Sequence, residues 1–352
     1  MRDDLVRLGW DDELERAWRE LQRELQEGSA GPPGRVARLD RGWSTILLGA
    51  DGPQTRVRNI GADVAVGDWV VVSADGERVE HVLPRKSAFV RRASFEGARG
   101  ASHTVAANID VVFLLHSLAS PPNPRRLERE LVLAYDSGAM PVIVLTKADA
   151  ITQGEADVAL SAVEDVALGV PVHAVSSRTG VGLDAIRRYA GVNHTMALLG
   201  SSGVGKSTLV NALVGRSAQR TAEVREGDQR GRHTTVAAEL VAMPGGGWLV
   251  DTPGLRAVSL WSSGHGIERA FADVFDLMDH CRFRDCKHED EPGCAVQAAI
   301  ADGSIDAVRL TSLKRLVEEE ARLEDEQREK ERADDRRGRP RFRPGVDDDP
   351  AV

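Results

Sequence analysis

Gly200-Ser201-Ser202-Gly203-Val204-Gly205-Lys206-Ser207-Thr208 stands between two apolar runs, Thr195-Met-Ala-Leu-Leu199 and Leu209-Val-Asn-Ala-Leu-Val214. Its spacing is G-x-x-x-x-G-K-[ST], a turn whose glycines let successive backbone N–H groups point at phosphate oxygens. The run before it reads as a buried strand and the run after it as a helix, the context in which such a turn holds phosphate. Lys206 adds a positive charge at the same oxygens. Ser207 offers a hydroxyl to Mg²⁺.

The loop specifies a nucleotide, and the base reader lies upstream. Pro141-Val-Ile-Val-Leu-Thr-Lys-Ala-Asp149 is an apolar strand ending in Thr146, Lys147, Ala148 and Asp149. That ending resembles the N/T-K-x-D element of GTPases. An Asp there accepts two hydrogen bonds from guanine N1–H and N2–H₂, a donor pair adenine lacks. The Lys147 stem can lie against the base, and Thr146 can tie this loop to the phosphate loop. Val170-Pro-Val-His-Ala-Val175 then runs into Ser176 and Ser177, like the serine loop that backs guanine. Downstream, Gly246-Gly-Trp-Leu-Val-Asp-Thr-Pro-Gly254 is a strand entering D-x-P-G. There Asp251 would hold the Mg²⁺ water shell and the Gly254 N–H would meet the γ-phosphate.

An ordinary GTPase runs phosphate loop, switch I, D-x-x-G, base reader, serine loop. Here the base reader and serine loop come first, so the set is circularly permuted. In this order the chain resembles the ribosome small subunit-dependent GTPase A family over roughly residues 34–320. Thr146 departs from the commoner Asn. The resemblance implies GTP hydrolysis, binding of the small (30S) ribosomal subunit with rRNA contacts through an OB fold and a zinc domain, and help in late maturation of that subunit.

Composition agrees with a soluble, multidomain chain. It has 352 residues, 41% hydrophobic and 29% charged, and no apolar run approaches the roughly 18–20 residues that cross a bilayer. The Met-Arg-Asp-Asp opening is too polar for a signal peptide, so a cytoplasmic place with no membrane is expected; the chain is read as a monomer. The net charge of −9 argues against non-specific nucleic-acid binding by the whole molecule. Charge is uneven, with a net of +3 over 31–92 and −4 over 1–30, so an RNA-binding reading rests on patches.

Residues 1–30 read as a helical extension and linker. Leu5, Leu8, Leu14, Trp18, Leu21 and Leu25 fall mostly at helical spacing, and 28–34 reads as the linker. Residues 31–92 change to period two, with five short strands over 35–39, 43–48, 54–59, 68–73 and 78–83. They suit an OB-type β-barrel. Its candidate phosphate contacts are Arg35, Arg38, Arg41, Arg56, Arg58, Arg85, Lys86, Arg91 and Arg92. Trp43, Trp69 and Phe89 are its few candidate stacking platforms, so contact to the RNA backbone is expected over base stacking. Residues 93–262 alternate strands with helices, an α/β doubly wound P-loop GTPase domain. Within it 108–115 reads as an interior strand, 124–137 and 156–168 as helices.

Cys281, Cys286, His288 and Cys294 have the spacing C-x4-C-x-H-x5-C and use every cysteine of the chain. Reduced thiols favour metal over disulfide. Three thiolates and an imidazole complete a tetrahedron, which describes one structural Zn²⁺ with no open position. His280 is held as a bystander. The segment closely resembles the family's zinc segment. Helices over 295–301 and 304–323 would complete an α-helical zinc-binding domain, 263–323. Residues 324–352 read as a charged, disordered tail carrying the arginine-rich stretch 336–343.

Many GTPases place Gln just after D-x-x-G to align the attacking water. Leu255 stands there and cannot orient water. Gly231-Arg-His-Thr-Thr235 supplies a substitute. Thr235 resembles the switch I threonine that closes on Mg²⁺ and γ-phosphate, with Thr234 as the alternative, and His233 matches the histidine that positions water in the family. Arg230 or Arg232 could pair with phosphate. Two other readings stand beside this one: a GTP-dependent switch on a protein partner, and an ATP-dependent small-molecule kinase. The kinase leaves Asp149, Asp251 and the permuted order unexplained.

Overall fold

The computed structural model describes residues 2–25, 30–40, 42–91, 103–191, 193–215, 238–251 and 265–338. The apolar run expected at 108–115 forms strand β8, Val111–Ser117, and period two divides it between two faces. Val112 and Leu114 join one core, while Val111, Phe113 and Leu115 join the other. Such two-sided burial belongs to the interior of a parallel sheet. β9 (Met140–Thr146), β10 (Val172–Ala174), β11 (Thr195–Gly200) and β13 (Trp248–Asp251) run parallel with it in the order β10-β9-β8-β11-β13, and β12 (Glu239–Ala242) lies antiparallel on β13. On one face, helix α3 (Pro124–Ser137) buries Leu127, Leu131 and Ala134 and α4 (Gln153–Ala167) buries Ala156 and Val163. The short helix α5 (Leu183–Arg187) and α6 (Lys206–Val214) cover the other face through Leu183, Ile186, Leu209 and Leu213. Because the strands are parallel, Thr146, Gly200 and Asp251 all emerge at one edge of the sheet, where ligands bind in open α/β folds.

The bounds of α3 are those read from sequence because its punctuation is explicit. Asn123 caps the first turn, Pro124 sits at the first helical position, and Gly138 ends the helix at φ +85°.

Ahead of this sheet lie the five expected strands: β1 (Ala30–Asp40), β2 (Trp43–Leu47), β3 (Gln54–Arg58), β4 (Trp69–Ser73) and β5 (Val79–Val82). β1 starts earlier than expected and absorbs most of the stretch read as a linker. Its first half pairs with β4 and its second half with β2, changing partners at Arg35. A Cβ on Gly31 would stand 2.2 Å from the Val72 carbonyl oxygen, so this glycine serves close strand packing. A parallel bridge between Arg58 and Arg78 brings β3 to β5 and closes the ring around Val36, Ile46, Val57, Val70 and Val72. β1 also touches β12 at Arg38 and Glu239, so all eleven strands form one sheet. A hairpin not anticipated, β6 (Ala88–Arg91) with β7 (His103–Ala107), stands apart from it.

The leader is a helix pair, α1 (Arg2–Arg7) and α2 (Asp12–Glu24), folded against its own chain. Leu5, Leu8 and Leu14 are buried, as is Trp10, whose ring packs edge-on to Trp69 at 4.8 Å. Trp248 Nε1 donates to the Arg7 carbonyl at 2.9 Å, tying the leader to β13. Arg35 is the hub of this junction and is 1% exposed. Its guanidinium donates to the Leu8 carbonyl, to the Asn108 carbonyl at 3.2 Å and to Thr195 Oγ1 at 2.7 Å. Burial pulls its pKa down to about 10, still charged at neutral pH.

The C-terminal helices are His265–Ala270, Ala272–Met278, Ala295–Ala301 and Ala307–Gly338. The last starts three residues later than expected and runs on through 324–338, a stretch read as disordered tail. Its Glu, Arg and Ala content favours helix, and pairs such as Glu324–Arg328 at 3.0 Å add (i, i+4) support. The remainder of the arginine-rich stretch lies outside the described residues. Arg309 fastens this helix to α3, reaching Glu128 at 3.2 Å and Asp273 at 2.5 and 2.8 Å. Burial lifts the Glu128 carboxyl above the usual range. Removing one partner of such a buried group costs about 3–5 kcal/mol in general.

Candidate nucleotide site and metal centre

The phosphate loop is an open cradle. Gly205 precedes α6 at φ +105°, a conformation that favours glycine, and no side chain caps the helix. The first N–H groups of α6 are thus left to a ligand, and the helix dipole favours an anion there. Val204 anchors the loop in the core while Ser202, Gly203, Ser207 and Thr208 are exposed and Ser201 is half-buried. Lys206 Nζ donates to the carbonyls of Gly200 at 2.7 Å and Ser201 at 2.5 Å, which holds the ammonium over the loop.

The base loop is bolted to this cradle. Thr146 Oγ1 donates to the Val204 carbonyl at 2.6 Å, as its position before Lys147 suggested, and lies 3.2 Å from the His116 carbonyl. Lys147, at φ +59°, reaches over to the Gly203 carbonyl at 2.7 Å. Ala148 N–H bonds the Val175 carbonyl at 3.0 Å and so joins the base loop to the serine loop. Asp149 Oδ1 accepts from the buried Ser176 hydroxyl at 2.6 Å, and Oδ2 from Arg178 Nε at 2.8 Å. The Ser176 hydrogen bond, helped by the Arg178 charge, holds the Asp149 carboxyl below the usual carboxylate range. It therefore stays an acceptor at neutral pH. Ser177 follows Ser176, half-buried, on the same loop. Arg178 was missed in sequence: it sits after the serine pair, where a long polar side chain carries no distinctive spacing.

Asp251 ends β13, whose Val250 is in register with Ala197 of β11. Strand pairing alone thus sets the carboxylate at the sheet edge that carries the phosphate loop. Gly254, Leu255, Arg230, Arg232, His233, Thr234 and Thr235 lie outside the described residues.

The four expected metal ligands converge, their ligand atoms all within 4.8 Å of one another. Zn–S bonds of about 2.3 Å and Zn–N bonds of about 2.0 Å require S–S edges of roughly 3.8 Å and S–N edges of roughly 3.5 Å in a tetrahedron. Cys281 Sγ lies 3.9 Å from Cys294 Sγ, and His288 Nδ1 lies 3.6 and 3.5 Å from those two sulfurs. Burial and the neighbouring thiols push the Cys286 thiol up to about 11, an arrangement that a divalent cation reverses by binding the thiolate. The donor set and its spacing fit zinc. His288 is held at φ +56°, and its carbonyl accepts from Gln297 at 2.8 Å. Cys294 also caps helix Ala295–Ala301. His280 turns to the Asp276 carbonyl, outside the cluster.

Residues 82–261 match the family model of the RsgA GTPase. A small ribosomal subunit biogenesis GTPase RsgA from Streptomyces coelicolor is 43% identical over 323 residues, covering 90% of this chain and 86% of that protein. The chain belongs to the RsgA GTPase family. A second RsgA, from Methanosarcina acetivorans, is 39% identical and covers 88% of this chain and 84% of its own length. Among solved structures, YjeQ from Thermotoga maritima superposes with a TM-score of 0.61 at 25% identity, over 82% of this chain and 98% of its own. YloQ, described as a circularly permuted GTPase, gives 0.59 at 24% identity, over 84% of this chain and 96% of its own. Membership in the RsgA family makes the chain a GTP-hydrolysing enzyme.

The β1–β5 region of this RsgA-family chain corrects part of the sequence reading. Arg35 is buried and bonded throughout, so it is no phosphate contact. Arg85 is clamped by Asp68 at 2.7 Å and Asp63 at 3.2 Å, and Lys86 by Asp110 at 2.6 Å. Trp69 and Phe89 are each 1% exposed and cannot stack on a base. Trp43 does reach the surface, with Arg56 and Arg58 at 5.0 and 5.4 Å from its ring centre. Arg38 pairs loosely with Asp40 at 3.4 Å, Arg91 is exposed, and Arg41 and Arg92 lie outside the described residues.

Proposed function

We propose that this RsgA-family GTPase binds the small ribosomal subunit and its rRNA during late maturation, and that guanine-nucleotide state governs the association. The observation that supports it most is the bolting of base loop to phosphate loop through Thr146 and Lys147, with Asp149 held ionised beside Ser176. That is a guanine reader built at a phosphate cradle. The relatives' names supply the small subunit as partner.

In this reading Gly200–Thr208 hold the phosphates, Asp149 reads guanine, and Ser176 and Ser177 back it. Ser207, Thr235 and the water shell at Asp251 would hold Mg²⁺, which neutralises charge on the phosphates. The Gly254 N–H would meet the γ-phosphate. Leu255 cannot align water, so His233 takes that part. The closed ring of β1–β5 serves as an OB-type domain over 31–92, presenting Arg56 and Arg58 to RNA backbone. Residues 93–262 form the permuted GTPase domain. Residues 263–323 form a domain held by one structural Zn²⁺ on Cys281, Cys286, His288 and Cys294. No helix among the described residues is long and apolar enough to cross a membrane, and a cytoplasmic monomer suits a ribosome-binding factor.

Co-sedimentation with purified ribosomal subunits tests the partner. With a non-hydrolysable GTP analogue the protein should pellet with small subunits, less so with GDP, and not with large subunits. Equal pelleting with both subunits, or none, contradicts the ribosomal reading and favours a switch acting on a protein partner.

A further inference from the structure

We propose that Glu291, outside the set of four ligands, is a positioning residue that aims His288 at the metal by holding the peptides that leave Cys286 and His288. The proposal rests on the zinc reading of the Cys281, Cys286, His288 and Cys294 cluster. Glu291 Oε1 accepts from the Lys287 N–H at 2.9 Å and Oε2 from the Glu289 N–H at 2.8 Å. The Lys287 N–H belongs to the peptide that follows Cys286, and the Glu289 N–H to the peptide that follows His288. One carboxylate thus bridges the backbone exits of two neighbouring ligands. Backbone N–H groups converging in a turn make a concavity for an anion, and here the chain supplies the anion itself. Hydrogen bonds to an ionised acceptor are stronger than those between neutral groups.

The backbone at His288 explains why such a clamp is needed. His288 stands at φ +56°, a left-handed conformation that a residue with a Cβ adopts only at a cost. The peptide that follows it is gripped at both ends. Gln297 Nε2 donates to the His288 carbonyl at 2.8 Å, while Glu291 takes the Glu289 N–H. This grip fixes the turn in which His288 Nδ1 lies 3.6 Å from Cys281 Sγ and 3.5 Å from Cys294 Sγ. Without the carboxylate, His288 would relax toward negative φ and its imidazole would swing away from the thiolates.

Glu291 reaches the other arm of the cluster through its own backbone. Its carbonyl accepts from the Cys294 N–H at 3.3 Å. Two residues on, the carbonyl of Gly293, at φ +78°, accepts from the Arg282 N–H at 3.1 Å, next to Cys281. Glu291 therefore stands where the two halves of the cluster meet. Its charged neighbours Asp285, Lys287, Glu289 and Asp290 are exposed, whereas Glu291 is half-buried. A carboxylate serving solubility would turn both oxygens to water; this one turns both to main-chain N–H groups. Groups that orient a metal ligand without touching the metal typically change metal affinity by about 10–100-fold.

The test compares the full-length wild type with E291A, E291Q and H288A, each loaded with zinc and, separately, with Co²⁺, whose visible spectrum reports its donor set. E291A should hold zinc about 10–100-fold more weakly in competition with a chelator. E291Q keeps one acceptor oxygen and should fall between. The Co²⁺ spectrum of saturated E291A should move toward that of H288A, because water replaces an imidazole that no longer faces the metal. Amide protection of β8 and β9 should be the same in all four proteins. A wild-type zinc affinity in E291A overturns the proposal. So does a wild-type Co²⁺ spectrum, even with a lower melting temperature, since that marks a carboxylate that only steadies the fold. Should E291A lose the protection of β8 and β9, E291Q decides in its place by the same two readouts. Wild type that binds neither metal refutes the zinc reading, and the proposal with it; wild type that binds both while E291A matches it refutes the proposal alone.

Discussion

Exchange of Asp149 for Asn should weaken GTP by roughly 10⁴-fold, the low end of the discrimination reached by sites built to pair with a substrate donor when the match is lost. The carboxylate offers two acceptors to guanine N1–H and N2–H₂. An amide offers one acceptor and one donor, which suits xanthine, whose C2 carries a carbonyl. Xanthosine triphosphate should therefore gain as GTP loses. The stability of the fold should change little, since Asp149 is an end-of-strand loop residue whose partners, Ser176 and Arg178, keep solvent or backbone partners of their own. Titration of GTP, xanthosine triphosphate and ATP against both proteins reads the effect. Equal affinity of the wild type for ATP and GTP, or an unchanged GTP affinity in the variant, contradicts the assignment of Asp149.

Loss of a zinc ligand should be as severe at the other end of the molecule. Cys294→Ala removes a thiolate and the cap of helix Ala295–Ala301 in one step. The segment 281–294 has little regular secondary structure to hold it, so its order depends on the metal, as is general where site formation is coupled to folding. Purified wild type should carry one zinc per chain by elemental mass spectrometry. The variant should carry far less, and amide hydrogens over 281–294 should exchange rapidly, while those of β8 and β9 stay protected. Full protection of 281–294 in metal-free protein would remove zinc from the account.

Much of the architecture was legible because it rests on local signals. The β8 run, the strand and helix around Gly200–Thr208, and the Pro124 and Gly138 punctuation of α3 each carry their own cause. The base loop was legible too, since Thr146, Lys147 and Asp149 are fixed in spacing along one strand end. What escaped depended on tertiary neighbours. Arg35 looks like any surface arginine until Leu8, Asn108 and Thr195 surround it. Trp69 and Phe89 looked like platforms because an alternating strand does not say which face is closed by another element, here the leader and its Trp10. Gly31, in a Gly-Pro-Pro-Gly stretch, suggested a linker, yet close packing against Val72 explains it better. The charged run after 323 satisfies both a disordered tail and a long helix by composition, and (i, i+4) pairing favours the helix. Arg178 reaches Asp149 from a different loop, a meeting no linear spacing encodes.

The central claim is a guanine-specific enzyme switched by the small ribosomal subunit, and steady-state GTP hydrolysis tests it most directly. Phosphate release is measured from the full-length protein alone, with small subunits and with large subunits, with ATP as a parallel substrate. The account predicts slow GTP turnover alone, because Leu255 cannot orient water, a marked rise with small subunits only, and no ATP turnover. Turnover that small subunits leave unchanged, or that proceeds equally with ATP, would contradict it.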